Sequence, residues 1–289
     1  MNNNHNNNIL SVKKYLERIN FNYYNYTEDL SDLSISYDTL SNLVYCHFMS
    51  VPYENFDILN NIPLSLEIPD LYDKIVNRRR GGYCFELNTL FNWLLNQIGF
   101  KTQTYIARFL LDEPVFPFVP MRRHRVMRTE IDGEYYIADI GVGCEVPVRP
   151  LKLVENQETE IRKTFYKFRK DENFGWVLQY KHSKDDYKNE WKDIYGFTEE
   201  PQFEIDFIQP NFWCQYSEDS PFRAKNIIAI RTATGKCSID GNVFRTFTAF
   251  DASGAHIPLS VTEKIIEPSE LTELAELNSI LKEFFGIIL

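Results

Sequence analysis

Asp132-Gly133 stands between two runs rich in β-branched and aromatic residues, 124–131 and 134–140. Both residues tolerate positive φ, which the two central positions of a type I′ turn require, so the pair predicts a two-residue β-hairpin. Such a turn leaves little freedom of register. Ile131 must face Glu134, Val126 must face Asp139, and His124 must face Gly141. Opposed residues share a face, so His124 and Asp139 become diagonal neighbours, about 7–8 Å apart at the backbone and within reach of an imidazole–carboxylate hydrogen bond. Gly141, opposite His124, is expected to leave room for the ring. A slip of one residue would put the pair on opposite faces of the sheet.

An imidazole held by a carboxylate is half of a nucleophilic site, and the other half needs a hydroxyl or thiol. The run Arg80-Gly81-Gly82-Tyr83-Cys84-Phe85-Glu86-Leu87-Asn88 supplies one. Two glycines permit a tight turn, and Leu87, Leu90, Phe91, Leu94, Leu95 and Ile98 then form one helical stripe that Gly99 can cap. Cys84 falls at the start of that helix, where free backbone N–H groups and the helix dipole favour thiolate. Cys46, Cys214 and Cys237 read as small buried hydrophobes, and Cys144 stays open because it follows the Asp139 loop. Among the other histidines, His5 lies in an Asn-rich start, His47 on an apolar stripe, His182 in a charged turn, and His256 has no acid at strand spacing. Cys84, His124 and Asp139 therefore form a candidate Cys–His–Asp triad in the order nucleophile, base, acid. The spacings alone do not say whether the acyl group comes from a thioester, a peptide or an ester.

The texture along the chain is helical to about Gly99 and strand-like afterwards, with a closing helical stretch at 269–285. That order reads as an α+β protein in about three parts, with boundaries at 1–99, 100–210 and 211–289. The 289 residues carry a net charge of −10, which argues against a nucleic-acid binder. Five scattered cysteines without a C-x-x-C pair argue against a disulfide framework or a structural zinc site, and no metal is expected. No signal segment or membrane-length apolar run is found, which predicts a reduced, cytoplasmic protein away from membranes. No G-x-G-x-x-G fingerprint occurs. Arg122, Arg123, Arg125 and Arg128 bracket His124 and offer either a solvated strand edge or a local positive field for an anion.

Four local matches, in order, make the chain resemble the arylamine N-acetyltransferases. They are 15–19 (YLERI), 51–56 (VPYENF), 80–86 (RGGYCFE), and His124 with Asp139-Ile140-Gly141-Val142-Gly143. A weaker echo covers 217–222 (SEDSPF). The resemblance implies a helical first domain, an antiparallel β-barrel second domain and an α/β lid, with a cysteine-protease-like Cys-His-Asp arrangement. It implies ping-pong acetyl transfer from acetyl-CoA through a thioester on Cys84 to an arylamine or hydrazine, with His124 as base and Asp139 orienting it. Arg80 and Glu86 match positions that brace the loop. Tyr53, Val142 and Phe222 match positions lining the acceptor pocket, and Gly143 one near the acetyl donor. Val142 stands where many members carry phenylalanine, which implies a wider pocket with less aromatic stacking. Arg123 stands where threonine is common, and is a candidate for the phosphates of the donor.

Two other classes share these residues. One is a different thiol acyltransferase, an amide synthase or a transglutaminase-like amidase using the same triad. The other is an inactive binding protein of the same fold, in which Cys84 would not alkylate rapidly near neutral pH.

Overall fold

The computed structural model describes residues 10–21, 33–111, 119–143, 145–182, 190–266 and 272–288. His5, the Asn-rich start and Cys144 lie outside the described residues. Helices α1 (Val12–Arg18) and α2 (Tyr37–Ser50) are each opened by a serine hydroxyl that accepts a first-turn amide, Ser11 from Lys14 and Ser36 from Thr39. A two-residue strand β1 (Tyr53–Glu54), short helices α3 (Phe56–Leu59) and α4 (Ile68–Tyr72), and the long helix α5 (Cys84–Ile98) follow. Gly99 ends α5 at φ 110°, in the left-handed region, and its N–H returns to the carbonyls of Leu95 and Asn96.

Strands β2 (Lys101–Phe109), β3 (Arg122–Ile131), β4 (Glu134–Ala138), β5 (Leu151–Lys152), β6 (Thr159–Ile161), β7 (Thr164–Asp171), β8 (Gly175–His182) and β9 (Lys192–Phe197) make one antiparallel sheet. Its order is β5-β4-β3-β2-β9-β8-β7-β6. Past β5 the chain turns back onto β7, where Glu155 bridges Phe168 and Asn156 N–H donates to the Phe168 carbonyl at 2.7 Å. The sheet is thereby curled into a nearly closed barrel. Asp132 and Gly133 take φ of 51° and 78°, as the predicted turn requires. The register is the expected one from Ile131↔Glu134 to Met127↔Ala138, but the ladder ends there: the expected pairs Val126–Asp139 and His124–Gly141 are not made, and Asp139 lies one residue past the last pair.

The chain then forms α6 (Ile208–Tyr216), α7 (Pro221–Ala224), β10 (Ile227–Arg231), β11 (Gly235–Asp240), β12 (Val243–Phe250), β13 (His256–Ile265) and α8 (Thr272–Ile280). These strands build a second antiparallel sheet, β1-β10-β11-β12-β13, so the short strand from the helical region lies on its edge. The architecture is α+β. Several strands were not legible in the sequence: β1, β5, β6, β9 and β11. β9 opens on a charged pair and carries Gly196, which weakens its pattern, and it becomes a strand because β2 and β8 pair with its two edges.

One apolar cluster runs from α1, α2 and α5 into the barrel. The first half of α5, from Cys84 to Phe91, is buried all round, including its polar residues Glu86, Asn88 and Thr89. The sequence stripe marked only one face of this helix. Burial of the other face is a tertiary fact, since the barrel and α6 both close over it. Among the described residues no helix is long and apolar enough to cross a membrane.

Candidate active site

The loop before Cys84 is fixed by close backbone contact and by a buried charge network. A Cβ on Gly81 would lie 2.1 Å from the Pro52 carbonyl oxygen, so a side chain there is excluded. Glu54 N–H donates to the Gly82 carbonyl at 2.9 Å and stitches the loop to β1. Arg80 is bound by Glu54 and Asp57 at 2.9 Å each, and Lys74 by Asp57 and Glu86 at 2.7 Å each. Glu86 also accepts the Tyr83 N–H at 3.1 Å, which caps the first turn of α5. Each buried charge thus has an opposite partner, the condition under which burial is tolerated.

This bracing sets Cys84 against the barrel wall. Its thiol donates to the Arg123 carbonyl at 3.6 Å, next to His124. His124 Nε2 meets Asp139 Oδ2 at 2.7 Å, which leaves Nδ1 for the thiol. Cys84 and His124 are each 3% exposed and Asp139 is 7% exposed, so all three sit away from bulk water. Burial disfavours a charged imidazole, but the Asp139 carboxylate outweighs it and raises His124 to about 10. Burial pushes the Cys84 thiol up, opposed by the hydrogen bond and charge of His124. The thiolate here depends on the imidazolium beside it, a condition that the helix-terminus argument alone did not include.

Gly141 has a role different from the expected one. A Cβ there would lie 2.6 Å from Asn88 Nδ2 and 2.8 Å from Cys84 Cα, so the glycine makes room for α5 rather than for the His124 ring. The ring instead packs on Tyr195 and edge-on to Phe109, with centroids 5.2 Å and 6.4 Å away. Burial and the nearby Asp139 charge hold the Tyr195 hydroxyl well above its ordinary value. Asn88 and Tyr195 were not singled out in the sequence. Asn88 could have been, since it lies four residues after Cys84 on the same helix face. Tyr195 could not, because β9 itself was not legible.

The remaining site candidates fall into two groups. Tyr53, Val142 and Gly143 line one narrow crevice with Phe48, Arg231 and Lys236. Phe222 packs with Tyr83, Cys84, Phe85, Phe207 and Cys214, its ring 5.4 Å from that of Tyr83, and Tyr53 packs against this cluster too. Asn55 joins the two regions: its amide donates to the Phe222 and Lys225 carbonyls at 2.8 Å each, and its Oδ1 accepts Ile227 N–H at 2.8 Å.

The arginines around His124 do not make an open basic edge. Arg125 is fully buried, held by Glu204 at 2.6 and 2.7 Å, and stacks on Phe207. Arg128 pairs with Glu199 and lies over Tyr135, and Arg122 is 3.8 Å from Glu200. Arg123 is half-buried, and its charge is felt at Cys214, whose thiol burial raises to about 12 while Arg123 opposes. Cys214 and Cys237 are buried as expected, whereas Cys46 is only partly so. His47 is buried against Tyr15, and His182 and His256 are exposed.

A family model described as N-acetyltransferase matches residues 36–289. The arylamine N-acetyltransferase of Escherichia coli K12 is 30% identical over 88% of this chain and 83% of its own length. The chain belongs to the arylamine N-acetyltransferase family. Human arylamine N-acetyltransferase 1 is 26% identical, with 97% of this chain and 95% of the human protein covered. Among solved structures, the arylamine N-acetyltransferase of Salmonella typhimurium superposes with a TM-score of 0.78 at 25% identity, covering 96% of this chain and 90% of the other. The Mycobacterium marinum arylamine N-acetyltransferase in complex with CoA gives 0.78 at 26% identity, covering 96% and 93%. Family membership makes the chain an acyltransferase and accords with the α+β barrel architecture described above.

Proposed function

We propose that this chain carries acetyl from acetyl-CoA to an arylamine or hydrazine in two half-reactions through Cys84. The placement of Cys84 at the start of α5, bonded to the Arg123 carbonyl beside the buried His124–Asp139 pair, is the observation that supports the reading most. In the first half-reaction His124 takes the Cys84 proton and the thiolate adds to the thioester carbonyl. The bond from carbonyl carbon to the CoA sulfur then breaks, and the departing sulfur receives the proton back from His124. This leaves acetyl-Cys84 and free CoA thiol. In the second, the amine adds to the acetyl carbonyl and gives its proton to His124. The carbon–Sγ bond breaks and Cys84 regains its proton, releasing the amide. Asp139 keeps its charge throughout and holds the ring in the tautomer that points Nδ1 at sulfur.

The acceptor is bounded in this reading by Tyr53, Val142 and Phe222. The donor passes Gly143, with Arg123 meeting its phosphates; Arg231 and Lys236 add positive charge to the Gly143 crevice. Residues 1–99 carry the nucleophile, 100–210 the base and acid, and 211–289 the covering part. The reaction is placed in the cytoplasm, where acetyl-CoA is available and Cys84 stays reduced.

Intact-mass analysis tests the proposal. Mixed with acetyl-CoA, the protein gains one acetyl group, which disappears on adding an arylamine. With valine at 142, bulky bicyclic amines discharge it as readily as monocyclic ones. Equal labelling of the Cys84→Ala variant would remove Cys84 as nucleophile, and discharge confined to small monocyclic amines would refute the wide pocket.

A further inference from the structure

Asn88 is fully buried and spends its side-chain amide on the groups around Asp139. Nδ2 donates to Asp139 Oδ1 at 2.8 Å and to the Arg125 carbonyl at 2.6 Å, and Oδ1 accepts the Ile140 N–H at 3.1 Å. Asp139 Oδ1 takes a second donor, Gly141 N–H, at 2.9 Å, while Oδ2 is left to His124. Because Asp139 lies one residue beyond the β3–β4 ladder, strand pairing does not fix its side chain. Asn88 does, and it does so from α5, the helix that carries Cys84 one turn earlier.

We propose that Asn88 is a positioning residue for acetyl transfer. It locks the Asp139 carboxylate so that Oδ2 faces His124, and its bond to the Arg125 carbonyl holds β3 beside the same helix turn. One side chain thereby bonds both barrel segments to the helix that carries Cys84. Replacing it frees the carboxylate to rotate and lets α5 shift relative to β3. His124 then loses the acceptor that orients it.

The proposal rests on the triad reading, and the experiment separates the two. The rate of a single acetylation of the enzyme is followed at increasing acetyl-CoA for the natural protein, Asn88→Ala and Asn88→Asp, together with the pH dependence of Cys84 alkylation by iodoacetamide. Asn88→Asp keeps the shape and the acceptor for Ile140 but loses both donors. The maximal acetylation rate is expected to fall on the order of 10²-fold in both variants, the scale of a misplaced catalytic group. The half-saturating acetyl-CoA concentration should stay unchanged, and the alkylation midpoint should move to higher pH. A residue that only packs would lower melting temperature without moving the alkylation midpoint of the folded protein. Rates and midpoints within twofold and a few tenths of a pH unit of the natural protein, or failure of both variants to fold, overturn the proposal. Undiminished labelling of Cys84→Ala would overturn the triad reading itself.

Discussion

Arg123 and Arg125 are two residues apart on β3, with Arg123 at a break in the β2–β3 register, and their charges meet different surroundings. Arg125 is neutralised by Glu204 under the 3₁₀ turn that precedes α6, so it adds little field outside. Arg123 acts on the thiol of Cys214, which packs in the same cluster as Cys84 and Phe222. Its charge therefore reaches the cluster that holds Cys84 and Phe222. Reversing it in Arg123→Glu is expected to raise the apparent KM for acetyl-CoA by about ten- to a hundredfold, the scale of one lost charge-assisted hydrogen bond at about 1.5–3 kcal/mol. Steady-state kinetics check this, and an unchanged KM removes Arg123 from the donor site. The four arginines in the sequence offered a solvated edge or an anion site. Their acidic partners Glu199, Glu200 and Glu204 lie about 70–80 residues away, too far along the chain for sequence pattern to pair them.

At the scale of elements, α5 and the β3–β4 hairpin meet without a spacer. Gly141 makes that contact possible by steric absence alone, since it is not among the residues with positive φ. Gly141→Ala would force its Cβ to within 3 Å of both Asn88 and Cys84, where helix backbone cannot yield cheaply. A destabilisation of about 1–3 kcal/mol is expected, as for overpacking elsewhere in cores, with slower Cys84 acetylation because the displaced element is the helix that carries Cys84. Urea midpoints and single-turnover rates measure the two effects, and an alanine variant with natural values for both would show that the hairpin can shift without cost. The hairpin and α5 were legible because turn chemistry and a helical stripe are local signals. Their closeness was not, and the reason for Gly141 was misread accordingly.

For the whole molecule, two buried histidines set opposite flanks of stability against pH. Burial lowers His47 to about 3, beside Tyr15 at 3.1 Å. Below the ordinary value of 6.5 the unfolded chain binds a proton that the folded chain refuses, so stability falls as pH drops from about 6.5 towards 3. His124 is raised to about 10, so the folded chain keeps a proton the unfolded chain loses. Its contribution is complete below 6.5 and is lost as pH rises towards 10. Melting temperature against pH should fall on both sides of near-neutral pH. His47→Leu should flatten the acid flank and His124→Asn the alkaline one. Flanks unchanged by either substitution would contradict the assignment.

By itself the sequence determined the Asp132-Gly133 turn and with it the hairpin register up to Met127 and Ala138, the helix that begins at Cys84, and the family motifs. Each of these is written within about twenty consecutive residues, where backbone geometry and periodicity act directly. The tertiary structure decided what those pieces touch: Asn88 on Asp139, Tyr195 under His124, β1 on the second sheet, and Arg125 buried on Glu204. These contacts join residues brought together only when the barrel curls and α6 closes over α5, so no local propensity encodes them. The same closure removes the site from water, where burial raises the Cys84 thiol and the His124–Asp139 pair opposes it.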